Sequence, residues 1–82
     1  MKVLTESVET GRVKWFSSKK GYGFIIRNPE EPEEKQIEIF VHFKNIQMEG
    51  FKTLLPGLKV EFEVGPGQKN DSIEAKNVRI VT

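Results

Sequence analysis

Two short segments of this chain, residues 20–25 (Lys-Gly-Tyr-Gly-Phe-Ile) and residues 40–43 (Phe-Val-His-Phe), carry rings at a spacing that suits stacking on flat ligands. Side chains two positions apart in a β-strand point to the same face. The rings paired in this way are Tyr22 with Phe24 and Phe40 with His42. Gly21 and Gly23 are expected to leave these rings unobstructed, and Lys20 adds a positive charge beside them. Rings and positive charge on one sheet face suit unpaired nucleobases, so we predict binding of single-stranded nucleic acid.

Positive charge is concentrated in the same part of the chain, although the net charge is only +1. Residues 11–27 contain five basic side chains and no acidic one, a local charge of +5. Residues 28–38 contain five glutamates against one lysine, a local charge of −4. Attraction to phosphate depends on such local patches more than on the total charge. The charge distribution therefore supports the prediction made from the rings.

The composition narrows the chemistry that this chain can perform. It contains no cysteine, which excludes disulfides, thiolate metal ligands and a thiol nucleophile. No motif places a nucleophile or carboxylate beside the one histidine, His42, so we expect neither an enzyme nor a metal or other cofactor. No apolar run approaches the roughly 20 residues of a membrane span, and residues 1–6 lack the features of a signal peptide. We expect a cytoplasmic protein without a membrane partner.

Five segments have the composition and alternation of β-strands. They are residues 12–16, 22–27, 37–43, 58–64 and 73–80. Residues 28–35, with two prolines and four glutamates, predict a loop without regular structure. Residues 44–57 predict a long connection with room for a short helical turn. An all-β chain of this kind fits a five-stranded antiparallel barrel of the oligonucleotide-binding type, whose closure removes exposed strand edges.

The first nine residues differ from the rest in being polar and weakly patterned. We predict a flexible arm over residues 1–9 and one domain over residues 10–82. A short edge strand or a dimer contact through the arm is the alternative. We otherwise expect a monomer.

Alternation alone does not decide the orientation of Trp15. Val13 and Trp15 would share one face of the first strand, so either Trp15 belongs to the core or a β-bulge turns it outward. On the second strand, Ile26 falls on the same face as Tyr22 and Phe24. The pattern leaves both questions open.

The strands contain enough other apolar residues to fill a small barrel without the paired rings. These residues are Val13, Ile25, Ile39, Val41, Val60, Phe62, Val64, Ile73, Val78 and Ile80. We therefore favour a binding role for Tyr22, Phe24 and Phe40 over a core role. For Phe16 and Phe43 the two roles remain open.

Several motifs in a fixed order closely resemble the cold-shock domain. They are residues 11–16 (Gly-Arg-Val-Lys-Trp-Phe), 20–25, 40–43, 50–54 (Gly-Phe-Lys-Thr-Leu), Gly57 and 75–78 (Ala-Lys-Asn-Val). The resemblance covers residues 10–81 and implies a barrel that binds single-stranded RNA or DNA. It also implies an RNA chaperone or a regulator of transcription or translation, with a preference for pyrimidine-rich strands.

The resemblance further implies which residues contact nucleic acid. They are Lys14, Trp15, Lys20, Tyr22, Phe24, Phe40, His42, Phe43 and Phe51. This set favours the bulge for Trp15. It also makes Phe51, beside Gly50 in a predicted loop, a stacking ring, with a hydrophobic plug as the alternative.

The chain departs from the pattern of the cold-shock domain at three places. Ser17 follows the Trp-Phe pair where an asparagine is usual, and Glu38 and Ile39 stand where an aspartate often precedes the second ring motif. The loop at residues 28–37 is longer and more acidic than usual. It could shield one end of the binding face electrostatically or have no role in binding.

Two other interpretations use the same residues. The segment 20–25 is also similar to a signature of the RNA-recognition motif, but that fold needs two packing helices that no segment here predicts. An exposed aromatic face could instead dock a protein partner or a second copy of the chain. Gel filtration with and without an oligonucleotide distinguishes this interaction barrel from a nucleic-acid binder.

Overall fold

The computed structural model of the protein describes residues 8–47, 53–67 and 72–81. Within these ranges five strands form a closed barrel, in the order β1-β2-β3-β5-β4 around it. Their bounds are β1 Val8–Ser17, β2 Tyr22–Ile26, β3 Glu38–His42, β4 Lys59–Pro66 and β5 Ile73–Ile80. Two short 3-10 helices, Glu33–Lys35 and Phe43–Asn45, flank β3 in the described chain. The predicted five-stranded all-β barrel is confirmed.

Four of the strand pairings within the described barrel are antiparallel, and the fifth is parallel. β1 pairs with β2 and β4, β2 pairs with β3, and β4 pairs with β5, all antiparallel. β3 and β5 run parallel, with Phe40 opposite Glu74 and Val41 opposite Ala75. This short parallel contact closes the sheet on itself, so β3 and β5 have no unpaired edge at this point.

The first strand begins earlier than predicted. Val8 and Glu9 lie opposite Glu63 and Phe62 of β4, so β1 starts four residues before the predicted start at residue 12. The Glu9 carboxylate also accepts two hydrogen bonds from Arg27, from Nε at 2.9 Å and from Nη2 at 2.7 Å. These bonds and the charge of Glu9 raise the pKa of Arg27 against the opposing effect of burial. Residues 1–7 of the predicted arm lie outside the described residues.

The core is formed by the inward faces of all five strands and by two residues of the connections. Most predicted core residues are buried, and the buried apolar set is Val13, Ile25, Ile39, Val41, Ile46, Leu54, Val60, Phe62, Ala75 and Val78. Phe16, Val64 and Ile80 are partly buried against this cluster. The prediction of Ile73 as core is wrong, since it is 48% exposed where β5 begins opposite Pro66. Ile46 and Leu54 from the connection take part in the core instead.

The segment between β2 and β3 is more ordered than predicted. Residues 28–35 contain the 3-10 helix Glu33–Lys35, although we expected no regular structure there. The Asn28 side chain closes the segment, because its Nδ2 donates to the Lys35 carbonyl at 3.0 Å and its Oδ1 accepts from the Ile37 amide at 2.7 Å. Gln36 donates across the loop to the carbonyls of Pro29 and Glu31. Side-chain hydrogen bonds to the backbone thus order a segment whose composition predicts no regular structure.

Candidate nucleic-acid interface

A β-bulge in β1 determines where Trp15 lies. Val13 pairs with Ile25, but Trp15 pairs with Phe24, so Lys14 is an extra residue without its own partner on β2. One extra residue reverses the alternation that follows. Val13 is therefore buried in the core while Trp15 lies half-buried on the outer face of the sheet. Of the two orientations left open by the sequence, the structure has the bulge.

Rings from three neighbouring strands meet on this outer face. Phe24 lies opposite Phe40, and Tyr22 lies opposite His42, in the antiparallel register of β2 and β3. The Trp15 ring centroid is 5.5 Å from that of Phe24 and 6.0 Å from that of Tyr22. We call the five rings on this face, together with Phe43 at the end of β3, the aromatic platform: Trp15, Tyr22, Phe24, Phe40, His42 and Phe43.

The platform rings contact one another through tilted and edge-to-face arrangements. Phe24 and Phe40 are 5.8 Å apart with an interplanar angle of 77°, and Tyr22 and Phe40 are 5.6 Å apart at 34°. These geometries are the ones that aromatic pairs prefer. Trp15, Tyr22, Phe24 and Phe40 are all only half-buried, so part of each ring stays accessible for another flat group.

The end of β3 positions the last two rings. The 3-10 helix Phe43–Asn45 begins directly after His42, whose Nδ1 accepts a hydrogen bond from the Lys44 amide at 3.3 Å. With Nδ1 as an acceptor, the proton of a neutral imidazole lies on Nε2. The His42 and Phe43 ring centroids are 4.8 Å apart, and Phe43 is 45% exposed. Phe43, which the sequence left undecided, therefore extends the platform, whereas Phe16 packs toward the core.

Gly21 and Gly23 have structural roles in addition to the predicted one of leaving the rings unobstructed. Gly23 is buried, and a Cβ there would lie 2.2 Å from the Trp15 carbonyl oxygen and 2.6 Å from the Phe16 Cα. It allows the close approach of β1 at the bulge. Gly21 has a φ of 84°, which favours glycine, and its carbonyl accepts a hydrogen bond from the Phe43 amide at 2.8 Å. Both glycines set the positions of the rings, beyond leaving them unobstructed.

The positive charge around the platform is smaller than the sequence suggests. Arg27 is paired with Glu9, and Lys14 is paired with Glu38 through its Nζ and the Glu38 Oε2. Lys20 is exposed in the turn after β1, where its amide donates to the Ser17 hydroxyl at 3.1 Å. Its side chain makes no ion pair with any residue of the described ranges. Two of the five basic residues in segment 11–27 are thus already neutralised by carboxylates.

The structure brings together eight of the nine predicted contact residues. Five platform rings lie on the outer face of β1, β2 and β3, and Phe43 packs against His42 at the end of β3. Lys14 lies beside Trp15 at the bulge, and Lys20 lies in the turn leading to Tyr22. Phe51 lies outside the described residues, and so do Gly50 and Lys52. The ion pair between Lys14 and Glu38 is not predictable from the sequence, because these residues are 24 positions apart and lie on strands that do not pair.

Comparison with known proteins agrees with the geometry. The family described as the 'Cold-shock' DNA-binding domain matches residues 9–81. The chain belongs to this cold-shock domain family. Membership supports nucleic-acid binding as its general function, and it confirms the resemblance that the motifs indicated.

Three relatives show how close the similarity is. A cold shock-like protein of Aquifex aeolicus is 55% identical over 71 residues, which are 87% of this chain and 91% of that protein. A cold shock-like protein of Thermotoga maritima is 48% identical over 71 residues, covering 87% of this chain and 96% of that protein. The cold shock-like protein CspE of Escherichia coli is 50% identical over 62 residues, covering 76% and 83%.

In residues 8–47, 53–67 and 72–81 there is no cluster of three or more histidine, cysteine, aspartate or glutamate side chains suited to a metal ion. None of the helices in the described chain is long and apolar enough to cross a membrane.

Proposed function

We propose that the protein binds single-stranded RNA or DNA by stacking unpaired bases on the aromatic platform, with little dependence on base identity. The observation that carries this proposal is the division of the aromatic and apolar residues between two faces. Among the described residues, ten buried apolar side chains fill the barrel, while the six platform rings remain outside it. Rings that are not needed for the core are best explained by a ligand that stacks on them.

Stacking accounts for both the affinity and the tolerance of base identity. Each base stacked on an aromatic side chain contributes about 1–3 kcal/mol, and every base has a flat face. Lys19 and Lys20, both exposed in the turn, lie where they can attract phosphates. Duplexes bury the faces of their bases, so they should bind much more weakly.

The proposed cellular role follows from this difference in affinity. A protein that binds unpaired strands more tightly than paired ones shifts the equilibrium toward the unpaired form without ATP. We therefore propose that the protein acts in the cytoplasm as an RNA chaperone and as a regulator of transcription or translation. Family membership supports this role and the preference for pyrimidine-rich strands.

Three leucine variants test the stacking proposal with a control from the same chain. Phe24→Leu and Phe40→Leu keep an apolar side chain on the platform but remove the aromatic face. Phe16→Leu removes a ring that packs toward the core instead. We expect Phe24→Leu and Phe40→Leu to weaken binding of a seven-residue oligothymidine by about 1–2 kcal/mol each, about five- to thirtyfold.

The control should lose thermal stability while keeping its affinity at a temperature where it is folded. Circular dichroism checks the fold of each variant. Equal affinities of folded wild type, Phe24→Leu and Phe40→Leu would show that the platform does not stack bases. A platform that mediates self-association instead would give a dimer in gel filtration that the oligonucleotide does not disturb.

A further inference from the structure

The ion pair between Lys14 and Glu38 lies at the edge of the aromatic platform. Lys14 precedes Trp15 in the bulge of β1, and Glu38 is two residues before Phe40 on β3. Both strands pair with β2, so the pair spans that strand on the outer face of the barrel. Its side chains are 45% and 41% exposed, which keeps both groups within reach of a ligand on the platform.

The register explains why these two residues meet. Ile26 of β2 lies opposite Glu38 on one side and opposite Arg12 on the other. The bulge then adds Lys14 as an extra residue between the pairs Val13–Ile25 and Trp15–Phe24. Ile26, which alternation puts on the ring face, lines the same groove as Lys14 and Glu38.

The surroundings of the pair favour the paired state of Lys14. The residues that line the groove beside it include Lys14, Ile26, Glu33, Gln36, Glu38 and Gly57. Glu33 adds a second carboxylate to the same groove. A phosphate that approaches Lys14 must therefore compete with the Glu38 carboxylate.

We infer that Glu38 acts as an internal competitor for Lys14 and so lowers the affinity of the platform for single strands. The inference rests on the proposed function. Lys14 then contributes little to binding in the native protein, although its position beside Trp15 makes it a predicted contact. Glu38 is a positioning residue that limits affinity by holding a cation away from phosphate.

A double-mutant cycle tests the competition directly. The four proteins are the wild type, Glu38→Gln, Lys14→Gln and the double variant, each titrated by calorimetry with a seven-residue oligothymidine at several salt concentrations. We expect Glu38→Gln to raise the association constant about two- to fivefold, in keeping with the small effects of exposed ion pairs.

The coupling between the two substitutions decides the result. The gain from Glu38→Gln should disappear in the Lys14→Gln background. Freed Lys14 should also steepen the dependence of log affinity on log salt by about 0.7, the value for one more phosphate contact on a single strand. A gain that persists without Lys14 would mean that Glu38 only repels the strand through space, and it would overturn the inference.

Matched controls separate this outcome from others. Glu34→Gln removes the same charge from the loop helix Glu33–Lys35, and it should leave affinity unchanged within error. An equal gain in Glu34→Gln, or weaker binding in Glu38→Gln, would also overturn the inference. Failure of the wild type to bind the oligonucleotide at all would instead contradict the proposed function. Thermal unfolding followed by circular dichroism confirms that all five proteins are folded.

Discussion

Replacement of Gly23 by alanine is expected to lower the free energy of unfolding, because it disturbs the β-bulge that positions Trp15. The added Cβ would lie 2.2 Å from the Trp15 carbonyl oxygen, and ordinary contacts begin at 3.4 Å. β1 and β2 would therefore have to separate by about 1 Å at the bulge. Both obstructing atoms, the Trp15 oxygen and the Phe16 Cα, belong to the backbone and cannot rotate away.

The size of the effect follows from the same contacts. Overpacking a well-packed site costs about 1–3 kcal/mol, and an obstruction by backbone lies at the upper end of this range. Alanine recovers about 0.5–1 kcal/mol, because glycine is intrinsically unfavourable in a strand. We therefore expect a net loss of about 2 kcal/mol in the free energy of unfolding. For a domain of this size that lowers Tm by about 8–16 °C.

Thermal unfolding by circular dichroism measures this loss, and an oligothymidine titration at low temperature measures its effect on the platform. Gly65→Ala is the matched control in β4, since a Cβ there meets only atoms of the flexible Lys76 side chain. Gly65→Ala should stay within a few degrees of the wild type. A Gly23→Ala protein with unchanged Tm and affinity would refute the claim that close approach at the bulge positions Trp15.

Three further substitutions probe other parts of the barrel and its charge. Asn77 has a φ of 51°, in the left-handed region of the backbone. In chemical denaturation, Asn77→Ala should therefore lower the free energy of unfolding by about 1 kcal/mol more than Asn77→Gly does. Equal stabilities of the two variants would contradict backbone strain at this position. Glu74 is 4% exposed and accepts a hydrogen bond from Asn45 Nδ2 at 3.2 Å. Glu74→Ala should therefore lower the free energy of unfolding by about 1–3 kcal/mol. A Tm equal to that of the wild type would show that this contact is dispensable. Lys20→Gln should flatten the slope of log affinity against log salt by about 0.7, whereas Lys35→Gln in the acidic loop should not change it. Equal slopes for the wild type and both variants would show that Lys20 does not contact phosphate.

The sequence was sufficient to predict the barrel and the faces of most of its strand residues. Alternation assigned Val60 and Phe62 to the core, and the spacing of Tyr22 and Phe24 placed both rings on one outer face. These features depend only on the two-residue period of a strand, which is local. They are therefore readable without knowledge of which strands pair.

The remaining features depend on contacts between distant segments. The bulge at Lys14 is a property of the register between β1 and β2, and alternation within β1 allowed two orientations for Trp15. The parallel contact of β3 with β5 likewise follows from closure of the whole barrel. Burial of Ile46 and Leu54 in the core could not be read from a connection that has no strand period.

Side-chain partners were the least predictable part of the site. The order in the loop at residues 28–37 comes from the Asn28 and Gln36 amides, which bond to backbone groups that only the folded loop brings near. The pairing of Lys14 with Glu38 crosses a strand between them. Local charge counts therefore overestimated the positive charge available to a ligand.

The measurement that tests the stacking of bases most directly is a titration of Trp15 fluorescence with one oligonucleotide in two forms. Trp15 is the only tryptophan of the chain and lies within the platform, 5.5 Å from Phe24 by ring centroids. The single strand should quench its emission with saturation. The same strand hybridised to its complement should bind much more weakly, because its base faces are buried. Unchanged emission with no heat of binding, or equal affinity for strand and duplex, would contradict base stacking on the platform.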